Sequence, residues 1–298
     1  MALVPPDFSD PADSLPEIRA KFEMVHGLDP GDGVVVDPGE HGVWVRPADG
    51  PADDRTERWP LDDRRVLFVH GGGFVTSPAA SYAFWGAHVA RSCGIETLIA
   101  EYRLAPETVF PGQLHDVAAA HDALLAAGVE PHRIIFMGDS CGGGMALATM
   151  LLQRANGRPM PGAFVGLGGW YDLEATGVAA PAGDPFVDPD WLRLRARDYV
   201  GARGDPADPL ASVVHADLTG LPPMLLQTGE VDPCRPGGEV VARHAERDGV
   251  AATVDIVPAV AQGFQGMAGV VPEADAAWSR VRAFVDRVVP PPARTDPV

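Results

Sequence analysis

Short apolar runs rich in β-branched residues alternate with longer, alanine-rich stretches along most of the chain. The short runs predict strands buried on both faces of a sheet, and the longer stretches predict helices. The predicted strands are Arg65–His70, Glu96–Leu104, Arg133–Gly138, Ala163–Gly168, Met224–Gly229 and Thr253–Val257. The predicted helices are Tyr82–Ser92, Gly112–Ala127, Cys141–Ala155, Glu239–Asp248 and Pro272–Val289. Because strands alternate with helices, we expect a mostly parallel sheet with helices on both faces.

Two segments depart from this alternation. Residues 1–40 are rich in proline and aspartate around one amphipathic stretch, Ser14–His26. Residues 174–215 have the composition of a loop, interrupted by the helix-like stretch Asp190–Val200. Because no repeat divides the rest of the chain, we predict one domain over residues 1–298, to which these two segments are additions.

The charge of the chain narrows the choice of partners. A formal net charge of −18 argues against nucleic acids and anionic membranes, which both select basic surfaces. Three scattered cysteines are too few for a disulfide framework, which favours a reducing, cytoplasmic location. Neither a signal-peptide pattern nor an apolar run long enough to span a membrane is visible, so we expect no membrane contact.

The strongest chemical signal is Gly138-Asp139-Ser140-Cys141-Gly142, which lies between a predicted strand and the helix that follows. G-x-S-x-G in this context is the nucleophile elbow of hydrolases, a sharp turn that exposes the serine hydroxyl. Small neighbours relieve crowding, and the N-terminus of the helix favours developing negative charge. Ser140 is therefore the expected nucleophile.

A second glycine-rich segment, HGGGF at residues 70–74, follows an earlier predicted strand. Consecutive glycines let backbone N–H groups approach a substrate carbonyl with no Cβ atom in the way. Since this segment precedes a nucleophile elbow, we interpret it as part of an oxyanion hole. We expect His70 to brace its loop rather than to carry protons.

HGGGF, YRLAPE at 102–107, FP at 110–111 and GDSCGG at 138–143 together resemble the motifs of hormone-sensitive-lipase (bacterial family IV) esterases. The resemblance implies an α/β-hydrolase fold, with a mostly parallel eight-stranded sheet flanked by helices. It also implies a helical cap, which we assign to residues 1–40 and 174–215. The oxyanion donors would be the N–H groups of Gly72, Gly73 and Cys141. The family's usual elbow is GDSAGG, so Cys141 replaces a common alanine, and we expect its thiol to pack rather than to react.

The same resemblance assigns the catalytic acid. LLQTGEVDP at 225–233 is similar to the acid loop of that family, in which the aspartate before proline is the triad member. Asp232 is therefore the expected acid and Glu230 the alternate, while a loop-capping role for Asp232 stays open. Serine followed by acid is also the order that this fold requires.

Gln262 lies where the resemblance calls for the catalytic histidine. The family has a His-Gly-Phe motif after the last strand, and this chain reads Val260-Ala261-Gln262-Gly263-Phe264, with none of its nine histidines in that loop. A carboxamide is not basic near neutral pH, and losing one triad member costs about four to six orders of magnitude in rate. We expect Gln262 to reach Asp232 by a hydrogen bond, as an imidazole would, while ester hydrolysis is nearly abolished.

Three hypotheses about function stay open. In the first, the parent is a carboxylic-ester hydrolase acting on a small apolar ester, and Gln262 is an introduced substitution. In the second, a natural variant performs elimination, cyclisation or isomerisation at a carbonyl. In the third, the chain is a ligand-binding pseudo-hydrolase. Under all three the partner is a small ester or acyl compound, neither cofactor nor metal is called for, and a homodimer is allowed.

Overall fold

A computed structural model describes residues 9–48, 63–175, 184 and 186–292 of the chain. Its strands are β1 (Val34–Gly39), β2 (Gly42–Pro47), β3 (Arg65–Val69), β4 (Glu96–Ala100), β5 (Ile134–Asp139), β6 (Ala163–Leu167), β7 (Met224–Gly229) and β8 (Ala252–Val257). They form one sheet in the order β1-β2-β4-β3-β5-β6-β7-β8. Strand β2 runs antiparallel to β1 and β4, and all other neighbours are parallel. The predicted fold, a mostly parallel eight-stranded sheet, is confirmed.

Helices cover both faces of this sheet. They are α1 (Leu15–His26), α2 (Ala83–Cys93), α3 (Gly112–Ala126), α4 (Cys141–Ala155), α5 (Pro189–Val200), α6 (Arg235–Arg247) and α7 (Pro272–Val288). Alternate side chains of β3 point to opposite faces, as the twofold periodicity of a strand requires. Val66 and Phe68 pack in a core with α2 and α7, whereas Leu67 and Val69 pack in a second core with α3 and α4.

Some boundaries differ from the predicted ones. We did not predict strands β1 and β2. Strand β1 lies inside the segment 1–40 that we assigned to the cap. Strand β1 is an edge strand with exposed side chains, so it lacks the continuous apolar run of a central strand. Strand β4 ends at Ala100, four residues before the predicted end, because YRLAPE forms a loop.

The two segments that we assigned to the cap contact each other. Helix α1 begins with a capping box between Ser14 and Glu17. Its Phe22 ring stacks on Trp191 of α5 with 5.7 Å between the ring centroids. The Ser9 hydroxyl also accepts the Asp188 N–H at 2.8 Å. Helices α1 and α5 are thereby joined by aromatic packing, and a hydrogen bond joins the residues that precede them.

No helix in the part of the chain that the structure describes is both long and apolar enough to cross a membrane. Among the same residues, no group of three or more His, Cys, Asp and Glu side chains is arranged to hold a metal ion.

Candidate active site

The nucleophile candidate, Ser140, lies at the turn between β5 and α4. Its backbone has φ +50° and ψ −127°, a strained conformation for a residue that is not glycine. The surrounding chain enforces this turn, since the Ser140 carbonyl accepts N–H groups from Trp170 at 2.7 Å and Gly143 at 3.0 Å. A Cβ atom at Gly142 would lie 2.1 Å from the Val69 carbonyl oxygen, so only glycine fits two residues after the serine. The sequence motif thus forms the tight strand-to-helix turn that it predicts.

The glycine loop after β3 lies next to this turn. Gly72 and Gly73 have φ values of +99° and +60°, in the left-handed region that favours glycine. The Gly72 carbonyl accepts a hydrogen bond from the Thr76 hydroxyl at 2.9 Å. Within the part of the chain that the structure describes, neither the Gly72 N–H nor the Cys141 N–H has an acceptor. These groups are therefore available to an incoming oxygen.

Cys141 joins the loop to the nucleophile turn. Its sulfur accepts the Phe74 N–H at 3.2 Å, and its side chain is fully buried. Burial, followed by the charge of Asp139, raises the pKa of the Cys141 thiol to about 12, although the N–H groups of Phe74 and Gly73 favour the thiolate. A thiol that is buried and protonated packs rather than attacks, which agrees with the expected role.

His70 and Tyr102 pack against each other and support the start of the glycine loop. The rings stack with 4.1 Å between their centroids, and the Tyr102 hydroxyl donates to the His70 carbonyl at 2.9 Å. Burial lowers the pKa of His70 to about 4, so its ring is neutral at physiological pH. His70 therefore has the bracing position that we expected, and YRLAPE contributes through Tyr102.

Asp139 holds Gly71, the first glycine of the glycine loop, in place. Its Oδ1 accepts the Gly71 N–H at 2.7 Å. Burial raises the pKa of this carboxyl to about 7, against the opposing effect of the N–H groups that it accepts. The aspartate beside the nucleophile thus holds the two glycine-rich segments together.

Asp232, the acid candidate, is buried in the turn after β7. Its Oδ1 accepts the Cys234 N–H and its Oδ2 accepts the Thr228 hydroxyl, both at 2.7 Å. Burial raises the pKa of Asp232 to about 7 in spite of these two donors. The alternate acid, Glu230, is exposed and accepts the Ala259 N–H at 3.0 Å on the surface.

Gln262 meets Asp232 at Gly168, the residue after β6. A carbon atom built on the Gly168 Cα would lie 2.8 Å from the Gln262 Oε1 and 3.0 Å from the Asp232 Oδ2. The two side chains therefore share one cleft, but the hydrogen bond that we expected between them is not formed. Gln262 Nε2 donates instead to the Gly168 carbonyl at 2.9 Å, and its Oε1 is buried without a partner. The two Asp232 oxygens already hold other donors, and the strand-end carbonyl accepts the amide.

Asp184 is a residue of this site that sequence analysis missed. Its Oδ2 accepts the backbone N–H of Gln262 at 3.0 Å, and its Oδ1 accepts the N–H groups of Phe186 and Val187. Burial raises the pKa of Asp184 above the usual aspartate range. An aspartate whose side chain accepts backbone N–H groups of its own loop can be expected from the local sequence. Its bond to a residue 78 positions away leaves no local pattern.

His215, the histidine nearest in sequence before Asp232, has a partner outside the candidate site. His215 Nε2 lies 2.7 Å from the Glu174 carboxylate, within hydrogen-bond distance, and both side chains are partly exposed. The structure gives this histidine a surface partner and does not bring it to Ser140.

Comparisons with known proteins show the family to which the chain belongs. Residues 66–266 match the family described as alpha/beta hydrolase fold. An acetyl-hydrolase from Streptomyces hygroscopicus is 32% identical over 262 residues, which are 87% of this chain and 83% of that protein. An ethyl acetate hydrolase from Pseudomonas putida is 28% identical over 239 residues, 74% of each chain. A crystal structure of an esterase from the bacterial hormone-sensitive lipase family superposes with a TM-score of 0.85 at 31% identity and covers 95% of both chains.

The chain belongs to the α/β-hydrolase fold family. Within that fold it is a hormone-sensitive-lipase-like protein of the serine-hydrolase type, and its relatives are carboxylic-ester hydrolases. The fold and the general chemistry predicted from the motifs are therefore confirmed.

Proposed function

We propose that this chain acts on carboxylic esters through Ser140, and that Gln262 holds its hydrolytic rate far below that of a complete triad. The observation that carries the proposal is the position of Gln262. Its carboxamide lies in one cleft with Asp232, where a base would be needed, and donates to the Gly168 carbonyl.

The proton balance explains the low rate. Attack by Ser140 requires its hydroxyl proton to leave, and the departing alcohol then requires a proton. An imidazole performs both transfers, whereas the Gln262 carboxamide is not basic near neutral pH. Gln262 donates to the Gly168 carbonyl, and the two Asp232 oxygens accept the Thr228 hydroxyl and the Cys234 N–H, so both side chains already have other partners.

The oxyanion side of the site supports the same chemistry. The N–H groups of Gly72, Gly73 and Cys141, with the N-terminus of α4 behind Cys141, would stabilise the negative oxygen of a tetrahedral intermediate. Donors of this kind and substrate binding alone retain about 10³-fold acceleration over water. We therefore expect slow residual hydrolysis rather than none.

A small ester with an apolar part fits the surroundings. Phe74 stacks on Tyr199 with 3.8 Å between ring centroids and lies 5.5 Å from the Trp170 ring. These buried aromatic side chains surround the glycine loop and favour a substrate whose acyl or alcohol part is apolar.

Restoring the base tests the proposal. We expect Gln262→His to raise kcat/KM on p-nitrophenyl butyrate by at least ~100-fold, because every other element of the site is in place. Gln262→Asn is the matched control, since it changes the side chain but keeps an amide, and it should give no gain. If Gln262→His stays as slow as the parent, Ser140 is not poised for attack. The non-hydrolytic hypotheses would then take its place.

A further inference from the structure

Helix α5 places an arginine beside the glycine loop. A Cβ atom at Gly73 would lie 2.4 Å from the Trp191 ring and 3.1 Å from the Arg195 Cγ. Trp191 and Arg195 are one helical turn apart, so they present one face of α5 to the loop. The aliphatic part of the Arg195 side chain therefore lies against Gly73, one of the residues that we assign to the oxyanion hole.

The guanidinium of Arg195 is buried and poorly satisfied. The residue is 7% exposed, and its Nε and Nη1 atoms have no hydrogen-bond acceptor among the described residues. Asp198 provides one opposite charge, with its Oδ2 2.9 Å from Nε, in an ion pair without hydrogen-bond geometry. The group also lies 5.5 Å from the centre of the Trp191 ring. Buried N–H groups of a cation are costly unless an acceptor binds them.

We propose that Arg195 binds a carboxylate carried by the substrate, so that the preferred ester has a free acid group as well as an apolar part. This inference deepens the proposed ester chemistry and rests on it. A guanidinium holds a carboxylate through two parallel N–H···O bonds, which a neutral ester cannot accept with equal strength. Asp198 engages only the Nε side, which leaves Nη1 for such a ligand.

The net charge of the chain makes a local cation necessary for such a ligand. With a formal net charge of −18, the surface repels anions at long range. Salt screens charges beyond about 10 Å, whereas a guanidinium in direct contact acts at a few ångströms in a buried site. Arg195 therefore provides the selectivity for an acid group that the protein surface does not.

The test measures binding to the native chain, which turns esters over slowly. Monomethyl glutarate carries an acid on the acyl side, and dimethyl glutarate is its neutral match. Acetoxyacetate carries the acid on the alcohol side, and its methyl ester is the neutral match. We expect ligand-observed NMR titration to give at least one anionic ester a Kd about tenfold below that of its match.

Two arginine variants separate contact from general charge. Arg195→Leu should raise the Kd of the preferred anionic ester about tenfold and leave its neutral match within about threefold. Arg197→Leu removes the same charge from an exposed position on the same helix and should change neither Kd. The proposal is overturned if neither anionic ester binds more tightly than its match, or if both variants weaken binding equally.

Asp198→Asn gives an effect of the opposite sign. Removing the competing carboxylate should tighten the preferred anionic ester by about threefold, whereas a purely structural ion pair predicts no gain. If Arg195→Leu fails to fold, this variant decides, and unchanged or weaker binding overturns the proposal.

A kinetic readout uses the Gln262→His background. There, Arg195→Leu should raise KM for mono-p-nitrophenyl glutarate, or for an activated ester that carries its acid group on the alcohol side. The kcat/KM for p-nitrophenyl butyrate should stay within about threefold of the value before this substitution. Failure of Gln262→His on every ester would refute the proposed function, but the binding measurements on the native chain would still decide the role of Arg195.

Discussion

The two halves of the candidate site are specified in different ways. In the nucleophile half, the main chain provides the geometry, since Ser140, Gly72 and Gly73 all adopt positive φ at the ends of strands. In the acid half, side chains on loops provide it, since Asp232 and Gln262 meet over Gly168. Main-chain geometry tolerates few substitutions because a Cβ atom collides, whereas a side chain is exchanged without altering the turn that carries it. On the proposed function, the difference explains how hydrolytic chemistry would be lost while the fold and the oxyanion side stay intact.

The electrostatics of the halves differ as well. At Ser140 the N-terminus of α4 and unpaired N–H groups favour negative charge. At Asp232 burial opposes it and raises the pKa of the carboxyl to about 7. In a complete triad the imidazolium that forms beside the acid stabilises its charge. The carboxamide of Gln262 brings no such charge.

The sharpest comparison of the two halves is a double-mutant cycle. In the Gln262→His background we expect Ser140→Ala to remove the whole gain, at least ~100-fold in kcat/KM on p-nitrophenyl butyrate. In the native chain the same substitution should cost less than about tenfold, because the serine already lacks its base. A hundredfold loss in the native chain would show that another group activates Ser140.

A smaller effect is expected where the cap meets the acid half. In the Gln262→His background, Asp184→Ala removes the acceptor of the residue 262 N–H and should lower kcat/KM by about tenfold. Asp190→Ala is the matched control, since that carboxylate is exposed and pairs with Arg193 on the surface. Equal losses in the two variants would contradict a positioning role for Asp184.

The buried charge of Asp232 should be visible in stability. An unfolded aspartate titrates near pH ~4, whereas the folded group has a pKa of about 7. Between these values the folded chain binds the extra proton, so the contribution of Asp232 to the free energy of unfolding falls as pH rises and stays low above pH ~7. We expect Asp232→Asn to raise Tm over the parent by ~5 °C at pH 8 and by almost nothing at pH ~4. A difference that does not depend on pH would show that Asp232 is ionised in the folded chain.

The smallest effect is expected at Cys141. Because its thiol only packs, Cys141→Ala in the Gln262→His background should change kcat/KM by less than about threefold. All three cysteines are buried, so the folded chain should resist a thiol reagent at pH 8 and react fully once unfolded. Rapid labelling of the native chain accompanied by loss of esterase activity would contradict this assignment.

Sequence reasoning found the parts of the site that are local in the chain. Short motifs identify Ser140 and the glycine loop, because each turn needs particular residues at adjacent positions. The contacts of Asp184 with Gln262 and of Arg195 with Gly73 join residues that are far apart in the chain, and no periodicity encodes them. The bond from Gln262 to the Gly168 carbonyl was missed for a similar reason, since it depends on which strand-end acceptor is left free.

The same principle applies to the sheet. The central strands were found because both faces are buried and their sequences are continuously apolar. Strand β1 has a proline and four exposed positions, so its place in the sheet depends on pairing with β2 and is not visible in its own sequence.

The bond between Asp184 and the main-chain N–H of residue 262 has an evolutionary consequence. It holds the loop through a group that every residue except proline possesses, so the loop keeps its position whichever side chain stands there. Codons for histidine and glutamine differ only in their third base. On the proposed function, one nucleotide change would therefore exchange a proton carrier for an inert amide without remodelling the loop, and a lineage would lose or regain hydrolysis in a single step.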